Sequence, residues 1–392
     1  MKQRISMCLA ISLFVSLGLV ALVAAAKPAA AAEPIKIGAV FSVTGWAGPV
    51  GTPAKEAVEI ATDEINKKGG VLGRNLEVYY EDDQSNPTNS AIAATKLIRD
   101  RNVCILLGSS LTVFTMPMVP VVEREQITLM AFGAGHELTS PIKKWVFRIP
   151  MTDYRVSPIM LKFATEVLGA KKLALLHSTD SSGTMGAKGV VDTVANYGAS
   201  VIITERFEPA DTNMVPQLTR IKAANPDAVI LYTSAAPAAV IAKNYQQLGM
   251  KTPVVTSHGV PSQEFLNIAG KIAEAAHWAI VSPKVFYAWT PPPDDPYRKN
   301  VFDPFVKTLK ERFGKEITGF HANGYDALYM VAQALTIAGT DDRAAVRDAM
   351  EKVRYKGLLA SWNYTPTDHD GQNGEELYPL MVKDGKWYPY KK

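Results

Sequence analysis

From residue 35 onward, short apolar runs alternate with segments of helical periodicity, and this alternation most constrains the fold. Residues 35–41 read as a buried strand, followed by a glycine- and proline-rich loop over residues 44–51. Val58, Ala61 and Ile65 then fall at helical spacing, and Gly69-Gly70 supplies a stop. Strands are predicted at 76–80 and 103–107, with a helix over 89–99 between them. The rhythm resumes with strands at 173–176, 201–204 and 228–232 and helices near 188–197 and 215–223. Repeated strand–helix units imply parallel sheets covered by helices on both faces. The class is therefore α/β. Irregular segments at 147–154 and 281–293 interrupt the rhythm and read as crossings between two doubly wound lobes. In such sheets ligands bind beyond the carboxyl ends of the strands.

The N-terminus is of another kind. Lys2 and Arg4 precede an apolar run over residues 5–26, and an alanine-rich stretch ends at Ala32. Charged start, apolar middle and small-residue exit read as a secretory signal peptide over 1–32, against the alternative of a membrane anchor. Cys8 lies too early in the run to be a lipidated cysteine. The expected destination is the periplasm. The chain of 392 residues has a formal charge of +4, but removing 1–32 leaves 39 basic against 38 acidic residues. Such balance argues against a nucleic-acid partner.

The motifs for chemistry are mostly absent. Gly45, Gly48 and Gly51 do not give the dinucleotide spacing G-x-G-x-x-G, and no phosphate-loop lysine follows. No two of His136, His177, His258, His277, His321 and His369 are spaced as a helical metal pair. The stretch 368–371 lacks the ligand order of a calcium loop, and no G-x-S-x-G elbow occurs. Cys104, the only cysteine after residue 32, sits in an apolar run and reads as a buried strand residue. No cofactor and no enzymatic activity are expected.

Ile35-Lys36-Ile37-Gly38-Ala39-Val40, Thr44-Gly45 and the run from Glu64 through Asn66, Gly69-Gly70 and Gly73 to Arg74 carry a resemblance. Glu137-Leu138-Thr139, Gly324-Tyr325-Asp326-Ala327, Asp368-His369 with Gly371, and Lys383-Asp384-Gly385-Lys386-Trp387 extend it. In this order the pieces resemble the Leu/Ile/Val-binding protein family, the substrate-binding components of ATP-driven uptake systems for branched-chain amino acids and related compounds. The resemblance implies a type I periplasmic binding protein fold: two Rossmann-like lobes with parallel sheets, joined by three crossing strands around a ligand cleft. Its implied boundaries are 33–150 for the first part of lobe 1, 151–282 for lobe 2, 283–358 for the rest of lobe 1, and 359–392 for the return to lobe 2. The implied partners are a small-molecule ligand and an inner-membrane ABC permease, with the chain acting as a monomer. A sensor subunit reporting to a membrane receptor is the alternative use of the same fold.

Carried over by position, the resemblance implies a ligand carboxylate at the Thr112 hydroxyl and at Ala134 and Gly135, where the register around His136 is shifted by a shorter loop. Ser182 and Ala235 stand where the family places aromatics. Phe320 matches an apolar wall, and Trp46 lies in a loop able to cover the ligand. His258 replaces the acid that pairs with a ligand ammonium. An ammonium buried without its partner costs on the order of 3–5 kcal/mol. These departures predict a carboxylate lacking an α-amino group, aromatic or extended. The alternative is an amino acid whose counter-ion comes from elsewhere, such as Glu264.

Overall fold

A computed structural model describes residues 33–276, 278–283, 294, 296–358, 360–372 and 377–390. The predicted signal peptide, most of the expected second crossing and His277 lie outside the described residues.

Five strands form the first sheet: β1 (Ile35–Phe41), β2 (Leu76–Asp82), β3 (Ile105–Gly108), β4 (Thr128–Ala131) and β5 (Val146–Arg148). They pair in parallel in the order β2-β1-β3-β4-β5. The second sheet contains β6 (Lys172–Ser178), β7 (Ser200–Phe207), β8 (Ala228–Tyr232), β9 (Val254–Thr256) and β10 (Ala279–Pro283). Its parallel part runs β10-β9-β8-β6-β7, which repeats the strand order of the first sheet. The predicted strands and helices thus fall in the expected order, with β3 starting two residues later than its apolar run. A short hairpin, β11 (Arg354–Lys356) with β12 (Ser361–Asn363), precedes the last two strands.

The central strands are mostly apolar because both of their faces are covered. In β1, Ile35, Ile37, Ala39 and Phe41 enter one core while Val40 enters the opposite one. In β8, Val229 and Leu231 face one core, and Ala228 and Ile230 the other. The second sheet departs from the parallel expectation at one edge. There β13 (Leu377–Lys383) and β14 (Lys386–Pro389) add antiparallel to β10. Asp384 and Gly385 turn this hairpin at φ 50° and 70°, the left-handed pair that a two-residue turn of this kind requires.

The chain returns to the first lobe through helices Asp303–Phe313, Gly319–Ala338 and Arg343–Met350. Helix Gly319–Ala338 lies against Gly48–Lys67 so closely that a Cβ on Gly324 would overlap the Ala54 carbonyl. The expected boundary after residue 358 runs through the β11–β12 hairpin, whose neighbourhood still belongs to the first lobe: Trp362 and Tyr364 pack in its core. Beside them the segment after β5 is clasped. Tyr364 donates its hydroxyl to the Arg148 carbonyl (2.7 Å), Trp362 Nε1 donates to the Ile149 carbonyl (3.1 Å), and Arg148 N–H donates to the His369 carbonyl (3.0 Å).

Candidate functional site

The carboxyl ends of both sheets open on one cleft. It holds about 910 Å³ of unfilled space, part of it open to solvent. Ser110 and Thr112 reach it just beyond β3, Phe132 and Ala134 beyond β4, Ser178 and Asp180 from β6, and Thr233 and His258 beyond β8 and β9. These positions flank the switch points β1/β3 and β6/β8, where connections leave in opposite directions and parallel sheets leave a crevice.

Helices start there as well. Asp153 is the first residue of Asp153–Lys162, Asp180 caps Ser181–Thr193, and Ser234 precedes Ala235–Gln247. Their N-terminal N–H groups favour negative charge nearby. Apolar walls come from Leu111, Val113, Met151, Phe320 and Leu377.

Thr112, Ala134, Ser182, His258 and Phe320 line the cleft. Gly135 sits one layer behind. Its N–H donates to Thr112 Oγ1 (2.8 Å), and its carbonyl accepts from Arg148 Nη1 (2.6 Å). The other three expected contacts are elsewhere. His136 begins a short 3-10 turn and stacks on Tyr154, with ring centroids 5.1 Å apart. Ala235 is buried in a second-lobe core, and its neighbour Ser234 takes the lining position. Trp46 packs on Phe114 at 5.5 Å rather than over the cleft. The cause is its loop, fastened to β2 and the turn after it: Asp82 Oδ1 accepts from Val43 N–H (2.9 Å), Asp82 Oδ2 from the Thr44 hydroxyl (2.7 Å), and Ser85 Oγ from Ala47 N–H (3.1 Å).

The sequence reading did not single out Asp153 and Asp180. Both line the cleft, whereas Glu264 does not. Burial pushes the Asp153 carboxyl up to about 8, opposed by the Ser182 hydroxyl, which donates to its Oδ2 at 2.6 Å. Burial also raises Asp180, although Gly183 N–H (2.7 Å) and the Ser178 hydroxyl (2.9 Å) donate to it. His258 goes the other way: burial, then the nearby Arg148 charge, lowers it to about 4, so the ring is neutral near pH 7. Arg148 itself lies behind the cleft, paired with Asp370 and lowered to about 9 by burial.

Periodicity could not reveal Asp153, Asp180 or Thr233. Their signal is position, since each follows a strand end or opens a helix, and Thr152-Asp153 and Asp180-Ser181-Ser182-Gly183 both have the polar composition of a helix start.

Among the described residues no three of His, Cys, Asp and Glu are grouped to hold a metal ion, and no helix is long and apolar enough to cross a membrane. Cys104 is buried, and desolvation raises its thiol to about 12.

The chain matches the family model described as periplasmic binding protein over residues 34–386. It is 26% identical over 321 residues to the leucine-, isoleucine-, valine-, threonine- and alanine-binding protein of Pseudomonas aeruginosa, covering 82% of this chain and 83% of that one. An extracellular ligand-binding receptor from Rhodopseudomonas palustris superposes with a TM-score of 0.83 at 27% identity, covering 91% of this chain and 99% of the other. The substrate-binding protein LivJ of Streptococcus pneumoniae, solved with isoleucine, shares the fold at a TM-score of 0.79 and 23% identity, covering 92% of this chain and 100% of its own. Match and fold agree, and the chain belongs to the periplasmic binding protein family.

Proposed function

We propose that the protein, exported by way of residues 1–32, captures a small organic carboxylate in this cleft and hands it as a monomer to an inner-membrane ABC permease. The observation that carries the reading is the composition of the cleft. An apolar passage between the lobes has the Thr112 hydroxyl at one end, held by Gly135 N–H, with its proton free to reach a carboxylate. Helix N-termini supply the favourable potential, and lobe closure would shield the ligand.

The proposed cargo is an aromatic or otherwise extended acid without an α-amino group. His258 is neutral, and burial keeps Asp153 largely protonated at neutral pH, so an ammonium finds no ready counter-ion at either of them. A second reading, an amino-acid ligand, has its own support. Asp153 and Asp180 line the cleft, and a cation could draw out the Asp153 proton. The Pseudomonas relative is named for amino acids. Calorimetry with aromatic acids, aliphatic acids and amino acids tests the pair. Tighter binding by leucine or valine than by every acid lacking the amine replaces the first reading with the second.

A further inference from the structure

Two neutral polar atoms at the second-lobe end of the cleft have no use in that reading. Thr233 is 7% exposed, lines the cleft, and its Oγ1 has no partner among the described residues; the same holds for His258 Nδ1. The carboxyl groups of the same cleft already accept hydrogen bonds: Asp153 from Ser182, and Asp180 from Gly183 and Ser178.

Burial keeps the His258 ring neutral. A neutral imidazole has one donor and one acceptor nitrogen, and the unpartnered Nδ1 is one or the other according to the tautomer. A second carboxylate only accepts, so it meets Nδ1 in one tautomer alone. A hydrocarbon end would bury Nδ1 and the Thr233 hydroxyl unpaired. An ammonium would need a full negative charge, which a neutral ring lacks. A neutral hydroxyl fits: it both donates and accepts, so it meets Nδ1 in either tautomer and exchanges a hydrogen bond with the Thr233 hydroxyl. On the facing lobe Asn323, 8% exposed and also lining the cleft, has an Oδ1 with no partner among the described residues, a further neutral polar atom for such a ligand.

We infer that the cargo is a hydroxylated organic acid, its carboxylate at Thr112 and its distal hydroxyl read by His258 and Thr233. This rests on the carboxylate reading above and specifies its substrate class.

The test is calorimetry on the full mature chain with paired acids: 4-hydroxybenzoate against benzoate, 3-(4-hydroxyphenyl)propionate against 3-phenylpropionate, and 6-hydroxyhexanoate against hexanoate. At least one hydroxylated acid is expected to bind ten times or more tighter than its parent, because a site built to bond a hydroxyl rejects the analogue lacking it. In His258→Phe and in Thr233→Val that ratio should collapse toward one. A purely structural role would weaken both members alike and leave the ratio standing. Parents binding as tightly as their hydroxylated partners in every pair, or a ratio surviving both substitutions, overturns the inference while the carboxylate reading stands. Binding by leucine or valine with none by any acid, or no binding by any of these compounds, removes the carboxylate reading and this inference with it.

Discussion

Gly135 N–H donates to Thr112 Oγ1 over 2.8 Å, and this one bond ties the loop after β4 to the loop after β3 beside the cleft. The Gly135 carbonyl accepts from Arg148 Nη1 at 2.6 Å, so the Thr112 hydroxyl is positioned through Gly135 by an arginine on the strand that leads out of the lobe. The position of the hydroxyl is thus settled before any ligand arrives.

Thr112→Ala should weaken binding of a carboxylate ligand by about 1.5–3 kcal/mol, the usual range for a hydrogen bond to a charged group. Calorimetry on wild type and variant checks this. An unchanged Kd in a folded variant would take Thr112 out of the contact set.

Gly135→Ala should lower affinity without touching the ligand. Gly135 has φ −61°, which any residue adopts, so backbone strain plays no part. A Cβ there would overlap Thr112 Cγ2 and lie 3.0 Å from the Glu137 carboxylate oxygens, forcing Thr112 aside. The expectation is a clear rise in Kd, and wild-type affinity in this variant would show that the Thr112 position is not critical.

The raised Asp153 carboxyl makes stability depend on pH. Its folded value of about 8 lies above its unfolded one of about 3.9, so the folded state holds the extra proton and stability falls as pH rises across that window. His258 is lowered to about 4 from about 6.5, and its contribution rises with pH between those values. The two oppose each other at acidic pH, which leaves the Asp153 slope uncovered between about 6.5 and 8. Scanning calorimetry should show the melting temperature falling over that range in wild type and much less in Asp153→Asn. Equal slopes would mean that Asp153 ionises in the folded protein well below 8.

His258→Glu should weaken binding of acids by adding a negative charge to the cleft that Asp153 and Asp180 also line, and should improve binding of leucine relative to wild type. A titration series with both ligand classes decides it. Tighter acid binding in the variant would contradict the charge argument.

A saturating ligand should raise the melting temperature, since one present at 100 times its Kd adds about 2.7 kcal/mol to a state that alone binds it. Small-angle scattering should show a smaller radius of gyration as the lobes close. A radius unchanged at saturation would remove the hinge from the mechanism.

The apolar runs at 35–41, 173–176 and 228–232 determined by themselves that the chain builds parallel sheets covered on both faces, because only strands buried on two sides are apolar without alternation. Local composition likewise placed a helix through Val58, Ala61 and Ile65 and another over 89–99, and the order of motifs pointed to the family. That Thr112, Ala134, Ser182, His258 and Phe320 lie near the cleft was legible because each sits at a strand end or helix start that the resemblance marks. Tertiary structure alone decided the rest. Whether Trp46 covers the ligand depends on Asp82 and Ser85, 36 and 39 residues away, which hold its loop against Phe114. Whether the cleft contains acid depends on which helix starts converge there, and that follows from the packing of two lobes rather than from any spacing within one. The protonation of Asp153 and His258 is set by the water that packing removes, a quantity that no linear order of residues contains.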